Sequence, residues 1–148
     1  VLYTIVLAVS AFLATALLHL GALRWCSGSM AAVPLAPPAR VLAVTALLFA
    51  VHLAEITLYA TAYALAEHGF LIGSFVGEPI MAPLDYFYFS ATTYTSLGVG
   101  DIFPTRHMRF LTGVEALNGL LLIAWSASFL FGLMNRVWEW QPCVRPGR

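Results

Sequence analysis

The chain has no lysine, and only 9% of its 148 residues are charged. A soluble domain carries nearer a quarter, so a surface facing water on all sides is excluded. Seven basic residues balance seven acidic ones, which leaves no electrostatic basis for holding nucleic acid. Its two cysteines, Cys26 and Cys143, stand far apart in no CxxC or Cys/His cluster. They suggest no metal or redox motif and read as free thiols near membrane interfaces. The first two apolar segments carry no regular arginine ladder, so a voltage sensor of that kind is not expected. No internal repeat is visible. Ser126 and Ser128 have no histidine near them in sequence, no nucleophile–base pair is recognisable, and no enzyme is expected.

What the chain has is hydrophobicity: 61% apolar residues and a mean hydropathy of +0.86. Three segments are long enough to cross about 30 Å of hydrocarbon as helices: 2–23, 41–65 and 108–137. The fold class is an all-α membrane protein with three transmembrane helices. Residues 25–40 form a connection in which Pro34, Pro37 and Pro38 prevent a continuous helix. Residues 67–83, with Gly69, Gly73, Gly77, Pro79 and Pro83, form a second. No basic stretch precedes the first apolar run, which is long for a signal-peptide core, so it reads as a retained span. Arg24 and Arg40 flank the first connection, and Arg136, Arg145 and Arg148 lie near the C-terminus. The positive-inside tendency then puts that connection and the C-terminus in the cytoplasm and the N-terminus outside, with Trp25, Trp138 and Trp140 in the cytoplasmic interfacial belt. The expected location is a cell membrane, as a multi-pass protein of a bacterial inner membrane.

Between the second connection and the third span, residues 85–95 are too short and too mixed to cross. Pro83 and Asp85 suit the first turn of a short helix, and Tyr86, Phe87, Tyr88 and Phe89 make it aromatic. Then comes Thr93-Tyr94-Thr95-Ser96-Leu97-Gly98-Val99-Gly100-Asp101. A glycine-punctuated loop at membrane depth is tolerated only where protein buries it or where it lines a watery path. A cation leaving water needs fixed oxygens in place of its hydration shell. Backbone carbonyls supply them if the chain alternates through positive φ, which glycine adopts without steric cost. Gly98 and Gly100 fit that need, Ser96 adds a hydroxyl, and Asp101 adds negative charge at the mouth.

These residues resemble the potassium-channel filter signature T-x-T-T-V-G-Y-G-D. The order of helix, re-entrant helix, loop, Pro104, Arg106 and a last helix with central Gly119 is similar to the two-helix pore module of that superfamily, over residues 41–137. The resemblance implies an outer helix at 41–66, a pore helix at 84–95, a filter at 96–101 and an inner helix at 107–138. Together they make a pore domain 41–148 behind an extra N-terminal helix and connection, 1–40. It implies a homotetramer in the bilayer, passing potassium, with sodium the alternative, and using no organic cofactor. Monovalent ions would sit at Ser96, Leu97, Gly98 and Val99, with Thr95, Gly100 and Asp101 completing the filter. On the same alignment Leu120, Ile123, Ala127, Phe131 and Asn135 face the pore, Phe131 as a hydrophobic constriction, and Gly119 matches the hinge glycine. Two positions depart from the pattern. Val99 stands where the bracing tyrosine would be, and Thr92 stands where some channels place a carboxylate behind the mouth aspartate. Arg106, His107 and Arg109 bring positive charge near the mouth unless they meet lipid headgroups or pair with Glu67, Glu78 or Asp85.

Four ionisable groups fall within the apolar spans: His19, His52, Glu55 and Glu115. Charge in hydrocarbon is costly, so they must face protein or water. His52 and Glu55 share a helix face. With His19 they read as a hydrogen-bonded network, a proton-responsive switch, or a site for a divalent metal. Two alternatives to the potassium reading follow: a weakly selective or non-conducting relative of such channels, and an intramembrane metal-binding protein or enzyme using His19, His52 and Glu55.

Overall fold

The computed structural model describes residues 1–29 and 33–137. Trp138, Trp140, Cys143, Arg145 and Arg148 lie outside the described residues. The chain is an all-α membrane protein. Its helices are α1 (Leu2–Ser29), α2 (Pro37–Ala64), α3 (Pro83–Tyr94) and α4 (Met108–Val137). Three of them, α1, α2 with its following turn, and α4, are long and apolar enough to cross a bilayer.

Local chemistry explains the helix ends. α1 runs on to Ser29 rather than stopping at 23, because no proline intervenes and Leu23 and Cys26 are buried against Val44 and Leu48 of α2. Pro37 and Pro38, read from sequence as breakers, instead open α2, where a missing N–H costs nothing. α2 ends in a π-helical turn, Leu65–Gly69. Pro83 starts α3, and Asp85 reaches back so that its carboxylate accepts the N–H groups of Met81 (2.7 Å) and Ala82 (2.8 Å). That satisfies donors a helix start leaves free.

The second connection contains a strand that the sequence did not reveal. β1 (Phe75–Gly77) pairs antiparallel with β2 (Ile102–Pro104), with Phe75 opposite Pro104 and Gly77 opposite Ile102. Gly77 has φ +105°, and a Cβ there would overlap the Asp101 carbonyl, so only glycine fits. The segment entering α3 is thereby tied to the segment leaving the 96–101 loop.

One core joins all four helices. Tyr59 and Tyr63 of α2, Phe89 and Tyr94 of α3, and Leu111 and Leu122 of α4 bury together with Ala8 and Ala11 of α1. Phe89 stands edge-on to Tyr63 (5.0 Å) and Phe75 (4.8 Å), the geometry aromatic quadrupoles favour. α4 packs tightly on α3 at Gly119, where a Cβ would overlap the carbonyl oxygen of Tyr94.

Gly119→Ala is therefore expected to lower stability by about 1–3 kcal/mol, seen as a lower thermal unfolding midpoint of the purified protein in detergent. Gly113→Ala on the same helix, where nothing lies within 4 Å, is the control and should not lower it.

Candidate functional site

α3 delivers the chain to its candidate filter loop. Tyr94 ends the helix, Thr95 caps it, and Ser96, Gly98 and Gly100 all take positive φ (57°, 55° and 81°). The two glycines do so freely; Ser96 bears strain of about 1–2 kcal/mol. The N–H of Ser96 donates to the Thr93 carbonyl (2.9 Å) and that of Gly98 to the Thr92 carbonyl (3.1 Å). No peptide bond is cis. In a trans peptide the C=O points opposite to the N–H, so the carbonyls of Thr95 and Leu97 are turned away from α3. Leu97 and Val99 are exposed, and a Cβ at Gly98 would meet nothing. Among the described residues, no hydrogen bond reaches the carbonyls of Thr95 through Gly100. The loop thus presents a run of free acceptors on an open face.

Asp101 closes the loop. Its carboxylate accepts the Tyr88 hydroxyl (2.7 Å) and the Ile102 N–H (3.0 Å). Tyr88 was not singled out from sequence as its partner. The available signal was spacing, since Tyr88 lies one turn before Thr92 and covers the same side of α3. The Tyr88 bond holds the Asp101 carboxyl below its ordinary range, and the same bond raises the Tyr88 phenol. Arg106, His107 and Arg109 pair with none of Glu67, Glu78 and Asp85: among the described residues the close contacts of a carboxylate with a basic side chain within 4.0 Å are those of Glu55 with His19 and His52. Arg109 instead donates to the Pro104 carbonyl (3.2 Å). Glu67 accepts the Tyr86 hydroxyl (2.6 Å). Burial, with that bond, raises the Tyr86 phenol.

Behind the loop lie two polar clusters. Glu115 of α4 is fully buried and accepts hydroxyls from Tyr63 of α2 (2.5 Å) and Ser90 of α3 (2.5 Å). Glu55 of α2 is also fully buried and faces His19 Nδ1 (2.9 Å), His52 Nδ1 (3.0 Å) and the Tyr94 hydroxyl (2.5 Å). Ser126 of α4 contacts Nε2 of both His52 (3.0 Å) and His19 (3.3 Å). Sequence left Ser126 without a histidine; the packing of α1 and α2 on α4 supplies two. The chain Ser126–His52–Glu55 has the connectivity of a nucleophile, base and carboxylate. Yet Ser126 is buried between imidazoles, and the groove of about 470 Å³ along α1 and α4 is lined by Phe12, Asn118, Trp125 and others, not by Ser126. His19, His52 and Glu55 lie close enough to share a metal ion.

On α4, Leu120, Ile123, Ala127, Phe131 and Asn135 are all exposed, while Leu111, Glu115, Asn118, Leu122 and Ser126 face the chain's own helices. The two sets occupy different sides of one helix. Gly119 lies against α3 rather than in open space.

Tyr88→Phe removes the hydroxyl that holds Asp101 down, so the Asp101 carboxyl should titrate nearer its ordinary range in a carboxyl-carbon NMR titration. The sign follows from the shifts. A lowered carboxyl contributes stability above its ordinary pKa and loses it as pH falls through the lowered one. A raised phenol contributes below its ordinary pKa and loses it as pH rises through the raised one. The Asp101 end of the loop should therefore loosen at both extremes in the parent protein, and Tyr88→Phe should shrink the acid limb and abolish the alkaline one.

A family model described as "Ion channel" matches residues 46–136. No curated protein matches the chain, and no solved structure matches it.

Proposed function

Because this chain belongs to the ion channel family, whose model spans residues 46–136, we propose that four copies close around the 96–101 loops to pass potassium passively through a carbonyl-lined filter. One observation carries the reading: the carbonyls of Thr95 through Gly100 have no donor among the described residues. Backbone acceptors at membrane depth cannot stay unmet, since each costs several kcal/mol in hydrocarbon. A stripped cation is the partner that needs several oxygens at once. Ser96, Leu97, Gly98 and Val99 are the proposed ion positions, with Thr95, Gly100 and Asp101 shaping the loop.

The assembly follows from the same economy. One chain gives one strand of oxygens, and a closed ring requires rotational symmetry. The exposed face of Leu120, Ile123, Ala127, Phe131 and Asn135 is available to line the cavity beneath, with Phe131 as the constriction. The arginine distribution supports an N-terminus outside and a C-terminus in the cytoplasm. Val99 favours a second reading, a weakly selective cation channel, because an exposed aliphatic side chain has no hydroxyl with which to brace the filter.

Flux into liposomes tests both. Potassium-driven flux that barium blocks is expected, and Gly98→Ala, which puts a Cβ at φ +55°, should lower it at least tenfold. Uptake equal to that of empty vesicles would sink the proposal. Val99→Tyr should raise the preference for potassium over sodium; an unchanged ratio would argue against a bracing role at that position. Phe131→Ala should increase flux through the closed state.

A further inference from the structure

We propose that His19, His52 and Glu55 form a divalent-metal site, best suited to zinc, that clamps α1 to α2 behind the candidate filter. The three side chains come from two helices, and one ligand atom from each lies within 4.8 Å of the others. The nitrogen–oxygen contacts are 2.9 Å for His19 and 3.0 Å for His52. Ligands about 2.05 Å from a tetrahedral zinc are about 3.3 Å apart; the two nitrogens face different oxygens of Glu55, Oε1 and Oε2, so occupancy requires the carboxylate and the imidazoles to adjust around one centre from ligand atoms that lie within 4.8 Å of one another.

The cluster is short of protons. If both imidazoles are neutral and donate through Nδ1 to Glu55, both Nε2 atoms are acceptors. Both then face the single hydroxyl of Ser126, which has one proton to give. One contact is left as lone pair against lone pair, and the buried cluster carries a net negative charge. A divalent cation on the Nδ1 side removes both faults; so does a proton on one imidazole, and metal content separates the two. The chain has no lysine, and among the described residues no arginine pairs with Glu55. Two imidazoles and one carboxylate are a borderline nitrogen–oxygen set, whereas calcium and magnesium demand mostly oxygen and higher coordination. The Tyr94 hydroxyl stands on the same Nδ1 side of His52 (2.9 Å) as a fourth ligand, while Ser126, on the Nε2 side, accepts the ring N–H groups once the Nδ1 atoms bind the ion. His52 is 18% exposed and provides the side from which an ion enters.

The test uses the full-length protein in detergent, incubated with zinc, desalted and assayed by atomic emission. About one zinc per chain is expected, falling below a tenth in His19→Gln and in Glu55→Gln, with His68→Gln unchanged. Wild-type zinc content no higher than that of His19→Gln overturns the site. Cobalt loading of the wild type gives a reading that needs no variant: visible bands of a tetrahedral nitrogen–oxygen complex are expected, and a colourless protein overturns the proposal. Neither assay measures flux, so this site and the conduction proposal stand or fall separately.

Discussion

A carboxylate at the centre of an apolar bundle is the constraint around which this chain is organised. Glu55 is fully buried, and leaving it unmet would cost several kcal/mol. Every helix sends a group into its cluster: His19 from α1, His52 from α2, Tyr94 from α3, and Ser126 from α4 through the imidazoles. Non-directional packing between lipid-compatible helices specifies register weakly. A directional polar cluster specifies it strongly. Glu115 repeats the device nearer α3, joining Tyr63 and Ser90. The two acids fix α3 from behind, and α3 in turn fixes where the glycine loop starts.

The front of α3 follows the opposite logic. There the chain leaves backbone acceptors unmet rather than satisfying every one. Ser96 and Gly98 turn their N–H groups into the helix end, and the planarity of the peptide does the rest. The buried acids behind α3 are met by hydroxyls and imidazoles, whereas the exposed loop carbonyls meet no protein donor among the described residues. Tyr88 and β2 hold its exit, so the free stretch is anchored at both ends.

Much of this was legible in the amino-acid order. Three apolar runs, the Pro83–Asp85 helix start and the paired glycines at 98 and 100 are local signals, and the three spans, α3 and positive φ at both glycines are present. Misses fell where the deciding contact is distant in sequence. The end of α1 depends on burial against α2. The β1–β2 ribbon joins residues separated by the whole of α3, and three-residue strands carry no readable periodicity. Ser126 acquired its partners from helices more than seventy residues away. The partner of Asp101 is Tyr88, one turn before Thr92 on the same side of α3 and thirteen residues from the carboxylate it holds. Gly119, the position that matches the family's hinge glycine, packs so tightly on the Tyr94 carbonyl that no side chain fits there.

The ribbon between β1 and β2 has a mechanical corollary. Residues 75–77 lie before α3 in the chain and 102–104 lie after the loop, yet the two are stitched edge to edge, with Glu78 adding a further bond to the Asp101 carbonyl (2.9 Å). A tug on the turn ahead of α3 is delivered straight to the loop's exit without passing through the helix. The surface of this molecule therefore carries a lever, short in space and long in sequence, whose far arm is the glycine loop itself.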